Sequence, residues 1–406
     1  MLEINKISID STNFFEVEGT LDIKNKNVII DISFEQLNKI FGIDVKELLF
    51  GSDKVIDKTK NIYVLDKSGK KYSCIGCIFS YNAKERIVLS SVAIDLILEN
   101  AFSDSIDMMT KRITFKTYYL GHSIHSAYIK GYDFKYNSNN KVIINKYTDE
   151  NIHIDITVEN KRMTNYFRMS EIVYSIIEFI KLIFGDIPYI DEIIIETDGE
   201  VIKPHFTIVD KYMTKNKKRN GKEIVGCITP EVLNRKTLKA FQKFRKDTQI
   251  IYDLFMINTN ENGYKEMQNC NLVQIMEGFY NTLIKPDEKL RNIIEYYFSN
   301  KTSRKLLTKR DKRRIKTKEN TQIFIYKAVN HRHYLSHLNV TENKNVFYKL
   351  ENIYAYWKIS MCIRIFILEY LKINYDKKRI PMYTKEIEDW ARKNKLRFSL
   401  KINSKK

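Results

Sequence analysis

Alternation of apolar and polar positions opens the chain. Phe15-Glu16-Val17-Glu18-Gly19-Thr20-Leu21-Asp22-Ile23 repeats at period two, the pattern of a half-buried strand, and the polar turn Lys24-Asn25-Lys26-Asn27 follows it. Val28 to Ile32, Asn61 to Leu65, Ile113 to Tyr119, Val142 to Asn145 and Ile152 to Val158 predict further strands. The region from about Phe14 to Tyr166 is therefore strand-rich, with Ser91 to Asn100 expected as a helix crossing between two strands. At Ser170 the period changes to that of a helix, which Ser170 would cap and Gly185, just before Pro188, would end. Glu192 to Thr197 returns to strand, and Asp198-Gly199 is a turn.

The second half reads differently. Asn234 to Lys246 predicts a helix with Leu238 and Phe241 inward, and its many cations read first as a solvated face and more sharply as an RNA contact. From about Lys265 the pattern is helical throughout. Gln268 to Ile284 aligns Leu272, Ile275, Met276 and Phe279 on one stripe, and Glu288 to Phe298 gives a second helix. A third covers Thr321 to Leu338. A fourth, Asn345 to Ile373, repeats Tyr354, Trp357, Met361, Ile365 and Leu368 at spacings of three and four. Four such helices with short or charged connections predict a bundle. The fold class is thus α+β, a strand-rich module followed by an all-α bundle. The expected domains are 1–260, 261–375 and a basic tail 376–406, with one helix around Tyr383 to Lys393.

Composition narrows the classes. A hydrophobic share of 43% and an aromatic share of 12% describe a folded chain rather than a disordered one. A net charge of +19 favours a polyanionic partner, nucleic acid or an anionic membrane surface. Against the membrane, Met1-Leu2-Glu3-Ile4-Asn5-Lys6 lacks the charged-then-apolar pattern of a signal segment. The most apolar run, Ile172 to Phe184, is shorter than the roughly 20 residues of a span and carries Glu178 and Lys181. A soluble cytoplasmic protein is expected. Cys74-Ile-Gly-Cys77 reads as buried strand cysteines, because a zinc site would need a second such pair. His122 and His125 stand three apart without a carboxylate or thiol partner and read as structural. Lys215 to Lys222 reads as an exposed basic loop, and Lys301 to Lys318 holds ten Lys or Arg against one acid, Asp311.

Candidate chemistry concentrates just after that last run. Asn330-His331-Arg332-His333-Tyr334-Leu335-Ser336-His337 holds three of the chain's seven histidines around an arginine. Cleavage of RNA by its own 2′-hydroxyl needs proton transfer near neutral pH, which suits histidine. It also needs cationic stabilisation of the phosphorane, which arginine supplies with bidentate geometry. No metal or other cofactor is then required. On a regular helix, however, positions 332 and 337 stand about 140° apart, so either the helix starts or kinks within the motif or two copies combine.

Arg332-His333-Tyr334-Leu335-Ser336-His337 resembles the active-site signature of HEPN-domain ribonucleases, an arginine, a polar residue, three others and a histidine. Leu272-Val273-Gln274-Ile275-Met276-Glu277 is similar to the first helix of ApeA-like HEPN domains, and the segment around Tyr72 to Cys77 is loosely similar to the ApeA amino-terminal domain. Asn339 departs from the Asp or Tyr-Asp that often follows the histidine in such families. The resemblance implies a C-terminal HEPN four-helix bundle whose motif faces that of a second bundle across a shared cleft, hence a homodimer or higher even oligomer. It implies His337 in acid/base work, Arg332 on the phosphate and transition state, and His333 orienting or assisting. It implies as substrate tRNA or other translation-related RNA, and as setting bacterial anti-phage defence or a toxin system with an unknown phage trigger. The first half would sense or restrain. Lys309, Arg310, Lys312, Arg313 and Arg314 are expected to engage the RNA backbone.

Two other readings compete. His331, His333 and His337 have a ligand-like spacing, but a helix puts His331 about 200° from His333 and no carboxylate within the motif completes a shell. The other is a non-catalytic RNA-binding or sensor protein with a degenerate HEPN domain. Beside these stands a purely structural role, in which the arginine and histidines of the helix cap carbonyls or pair with acids such as Glu277.

Overall fold

A computed structural model describes residues 1–23, 27–41, 55–83, 87–93, 96–99, 109–119, 128–185, 188–206, 225–259, 264–315, 321–337 and 345–398. The chain forms two compact units. The first comprises Met1–Ser123, Lys130–Tyr174 and Pro188–Arg219, and the second Ile124–Ile129, Ser175–Ile187 and Asn220–Lys406. The helical unit thus begins well before residue 260, and the tail helix belongs to it. Among the described residues no helix is long and apolar enough to cross a membrane.

The first unit is strand-rich, as its alternation predicts. Its strands are β1 (Leu2–Ser8), β2 (Phe15–Asp22), β3 (Asn27–Ile32), β4 (Val55–Asp66), β5 (Lys71–Ala83), β6 (Ile87–Ala93), β7 (Leu96–Glu99), β8 (Met109–Tyr119), β9 (Tyr132–Lys135), β10 (Asn140–Thr148), β11 (Ile152–Asn165), β12 (Tyr189–Glu196) and β13 (Val201–Phe206). They pair in the order β4-β1-β2-β3-β6-β5-β7-β13-β12-β8-β11-β10-β9, and β4 also pairs with β5. That extra pairing closes β1 to β6 into a ring, which leaves those strands no open edge. Ile4, Ile7, Leu21, Ile30 and Ile62 share the buried core with Cys74 and Cys77, the cysteines expected to be buried in a strand. Gly19 sits where β2 runs close against β3: a Cβ there would collide with the Ile29 carbonyl oxygen.

On β8 the alternation separates two jobs. Ile113, Phe115, Thr117 and Tyr119 are buried, while Arg112 pairs with Glu159 and Glu196 and Lys116 with Glu192. Tyr174 of α2 (Tyr166–Phe184) meets Phe115 edge-on with ring centroids 5.3 Å apart.

Three local expectations are corrected here. Ser91 to Asn100 is not a helix; its described residues lie in β6 and β7. Ile97 and Leu98 are both buried, and a strand covered on both faces shows a continuous apolar run that periodicity cannot tell from a helix. Ser170 does not cap α2. The helix follows β11 directly, Asn165 accepts the Phe167 N–H at 2.7 Å, and Ser170 donates to the Phe167 carbonyl inside the first turns. Gly185, at φ +83°, does end it. Helix α1 (Phe34–Phe41) was not expected, although Ser33 and Gln36 form a reciprocal capping box readable as Ser-x-x-Gln.

The second unit holds the C-terminal half of α2 and α3 (Arg235–Asp247), α4 (Gln249–Asn258), α5 (Lys265–Leu283), α6 (Leu290–Ser299), α7 (Ile323–His337), α8 (Leu350–Tyr370) and α9 (Arg379–Lys393). Helix α5 packs against α4, α6, α7 and α8, which explains why Leu272, Ile275, Met276 and Phe279 are all buried. Helix α8 is buried on most sides, and its polar groups find partners: Arg364 donates to the Leu182 and Ile183 carbonyls at 2.9 Å each, satisfying the end of α2. Trp357 of α8 meets Trp390 of α9 edge-on at 4.8 Å.

Where α2, α3 and α4 meet, Glu178 is mostly buried beside Arg245, whose Nε lies 2.7 Å from its carboxylate but off the line of a good hydrogen bond. Burial raises the Glu178 carboxyl to about 7, with Asp253 adding to the rise and Arg245 and Lys181 opposing it. The folded chain therefore keeps a proton that the unfolded chain has lost above its ordinary value of about 4.3. Because the folded state binds more protons in that window, stability should fall as pH rises from about 4.3 to 7, by at most about 4 kcal/mol. Urea unfolding at steps across the window should show this decline in the wild type and a flatter profile for Glu178→Gln. Equal pH slopes would contradict it.

Candidate active site

The Arg/His motif lies on the C-terminal half of α7, which runs as one α-helix from Ile323 to His337. The helix neither starts nor breaks within the motif, so positions 332 and 337 keep the separation of about 140° that a regular helix gives. Helix α5 lies alongside α7 and meets the motif with Glu266, Cys270, Gln274 and Glu277.

Each motif residue has a different environment. His331 is fully buried, its Nε2 2.9 Å from the Glu266 carbonyl and its ring 5.6 Å from Phe347. A carbonyl only accepts, so Nε2 carries the proton; burial lowers the imidazole pKa, and the ring stays neutral. It cements α7 to α5. Arg332 is half-buried and donates from Nη2 to Glu277 Oε2 at 3.2 Å. Its Nε is buried with no hydrogen-bond acceptor among the described residues, so the guanidinium is held on one side and unsatisfied on another. His333 is exposed. His337 is the last residue of α7, and its side chain lies outside the described residues. Ser336 is bonded to Gln274 at 3.3 Å and lies 3.9 Å from the Cys270 sulfur, whose thiol pKa burial raises.

The structure therefore brings Arg332 and Glu277 together, as the purely structural role expected, and separates His331 from His333. A site that used His331 and His333 on one ion is at odds with this, since one ring is buried on a carbonyl and the other is exposed. Among the described residues no group of three His, Cys, Asp or Glu could hold a metal. His122, His125, Lys215 to Lys222 and Asn339 lie outside the described residues.

The basic segment before α7 is more ordered than its charge suggests. Its lone acid is the reason: Asp311 is fully buried, with the Tyr354 hydroxyl 3.0 and 3.1 Å from its two oxygens and the Lys358 ammonium upon it. Glu388 of α9 joins Tyr354 and Lys358. Burial pushes the Lys358 amine down, and Asp311 pulls it back up. The chain then returns to α7 through Ile315 N–H to the Thr321 carbonyl at 3.0 Å and Ile323 N–H to the Arg313 carbonyl at 2.9 Å. On this scaffold Lys309, Arg313 and Arg314 are exposed and Lys312 half-exposed. Arg310 turns inward, 3.7 Å from Glu388 and over the Tyr354 ring. Sequence reasoning noted Asp311 only as an isolated acid. Its signal was there, because one carboxylate among ten cations facing a helix with Lys358 is placed to be buried with a partner.

These two ion pairs should differ sharply in worth. Asp311→Asn leaves Lys358 buried with less than its charge compensated and should cost about 3–5 kcal/mol in urea unfolding. Glu277→Gln, at a half-exposed pair, should cost less than about 1 kcal/mol. Comparable losses would refute the anchoring role of Asp311.

Compared with protein-family models, with curated proteins and with solved structures, the chain matches none.

Proposed function

We propose that the helical unit is a metal-independent endoribonuclease of the HEPN type, acting on RNA through Arg332 and His337 in a site shared by two chains. The observation that carries this reading is the Arg332 guanidinium, oriented by Glu277 yet with a buried Nε that has no acceptor among the described residues. A phosphate oxygen is the kind of acceptor that fork lacks. In this reading His337 moves the proton between the 2′-hydroxyl and the leaving 5′-oxygen, and His333, exposed one position after the arginine, assists. Lys309, Lys312, Arg313 and Arg314 face outward where an RNA backbone would pass, and Arg310 supports them from within. Translation-related RNA, tRNA included, as substrate, anti-phage defence or a toxin role as context, and a sensing or restraining first unit complete the proposal, in the cytoplasm.

The unbroken helix supports the shared site. With Arg332 and His337 on different sides of α7, one copy of the motif does not converge on one phosphate, whereas two copies related by a two-fold axis supply an arginine and a histidine to each side. The Arg332–Glu277 pair favours the second reading, an RNA-binding or sensor protein without catalysis, in which Glu277 simply neutralises the arginine.

Cleavage products decide between the two. RNA incubated with the chain in EDTA should yield 2′,3′-cyclic phosphate and 5′-hydroxyl ends, and His337→Ala should slow this by about 10²–10⁴-fold while RNA binding persists. Products with 5′-phosphates, activity that appears only with added metal, or no cleavage with binding intact would remove the proposed mechanism. Assembly is checked separately by sedimentation of the active protein. A mass of at least two chains is expected, and full activity from a monomer at assay concentration would exclude the shared site.

A further inference from the structure

Helix α3 carries charge against its own interest. Taking about 100° per residue, Arg235, Lys236, Lys239, Lys243 and Lys246 fall within an arc of about 100°, while Leu238, Phe241 and Phe244 are buried on the opposite side. Four pairs on that face are like-charged neighbours at three or four residues: 235 with 239, 236 with 239, 239 with 243, and 243 with 246. Each weakens a helix by some tenths of a kcal/mol. Arg235 and Lys236 also sit in the first turn, which holds no acid, where the macrodipole repels cations. Asn234, accepting the Lys236 and Thr237 N–H groups at 3.0 and 3.1 Å, and the inward aromatics hold the helix regardless. Arg235, Lys236, Lys243 and Lys246 form no ion pair among the described residues, whereas Arg245 on the inner side pairs with Glu178. Within α3 the one acid is Asp247, its last residue.

A second feature lies toward the inner side of the same helix. Phe244 of α3 lies 5.9 Å from the ring of Tyr370, and Tyr370 is part of the wall of a cavity of about 310 Å³ with Tyr296, Tyr297, Phe366, Glu369 and Asn300. Tyr296 and Tyr370 are 41% and 44% exposed, so both rings offer surface to a ligand. The Glu369 carboxylate, braced by Asn300 and by the Tyr375 hydroxyl at 2.7 Å, sits among the rings as an acceptor. A row of exposed cations spanning about 16 Å of helix, with an aromatic cavity carrying an N–H acceptor at the inner side of the same helix, is the chemistry of single-stranded nucleic acid, phosphates on the cations and a base on the rings.

We propose that the outer face of α3, together with the aromatic cavity whose wall Phe244 touches from the other side of the helix, forms a binding track for single-stranded RNA, apart from the Arg332 site. This rests on the ribonuclease reading only for the choice of RNA over another single strand, and the test is built so that the two fail separately. The probe is a short, fluorescently labelled, single-stranded 2′-O-methyl oligoribonucleotide, which lacks the attacking hydroxyl and stays intact whether or not the chain is a nuclease. Anisotropy titrations of the full chain across a salt series in EDTA should show tight, salt-sensitive binding. Replacing Arg235, Lys236, Lys243 and Lys246 by Gln should weaken it at least tenfold at moderate salt. The log–log salt slope should become shallower by about 3, at about 0.7 per phosphate contact. Tyr296→Leu should weaken binding about tenfold and leave the slope alone, since stacking releases no counterions. Thermal melts should show the Gln variant at least as stable as wild type, and the milder Lys243→Gln, Lys246→Gln pair, with about half the slope change, serves if the fuller variant does not fold. An unchanged affinity and slope in these Gln variants would overturn the proposal. So would wild-type binding to phosphatidylserine vesicles with none to the oligonucleotide. Failure of ordinary RNA to be cleaved, with this binding intact, would count against the nuclease and not against the track.

Discussion

Buried charge is the constraint on which the helical unit depends. Lys327 and Lys358 have side chains with no exposure at all, and each is neutralised from another segment, Lys327 by Glu351 at 2.8 Å and Lys358 by Asp311. An unpaired ammonium at such depth is costly enough that the helices must dock in the one arrangement that satisfies both. Lys327 lies on α7 and Glu351 on α8, so their pair sets the motif-bearing helix against the long central one. Asp311 joins the basic segment to α8, and Glu388 brings α9 to the same point. These pairs contribute less to net stability than apolar contacts of the same size; they restrict which packing is allowed.

The position of Arg332 follows from that docking. Once Lys327 fixes one turn of α7, His331 one turn later reaches the Glu266 carbonyl, and Arg332 beside it reaches Glu277 on α5. The guanidinium is thus placed by a chain of contacts that starts in the core. Its Nε, buried and without an acceptor among the described residues, is a local cost that the surrounding packing sustains.

Much of this was legible in the sequence, and the failures have physical causes. Period-two alternation located β2, β3, β8 and β11, because those strands bury mainly one face, and the stripe Leu272, Ile275, Met276, Phe279 identified part of the wider buried surface of α5. Alternation was lost where burial is two-sided, as at Ile97 and Leu98, and the start of α2 was displaced because Asn165 caps it straight out of a strand. At the candidate site, the sequence gives residue types and helix phase but not partners. Arg332 and Glu277 stand 55 positions apart and meet only through the packing of α5 on α7. The choice between kink and second copy also needed the backbone, since only an observed unbroken helix removes the first.

Charge allocation links the core to the surface. In the first unit acids sit opposite bases on the outer face of the sheet, as Glu159, Glu196 and Glu192 do around Arg112 and Lys116. In the helical unit the acids Asp311 and Glu351 are spent inward, on Lys358 and Lys327. A carboxylate committed to a buried amine cannot also balance a lysine outside. The outer face of α3 and the exposed residues Lys309, Arg313 and Arg314 are therefore left electropositive by the same choice that orders the core. A net charge of +19 is in this sense local: attraction for a polyanion is concentrated on the unit that carries the Arg/His motif.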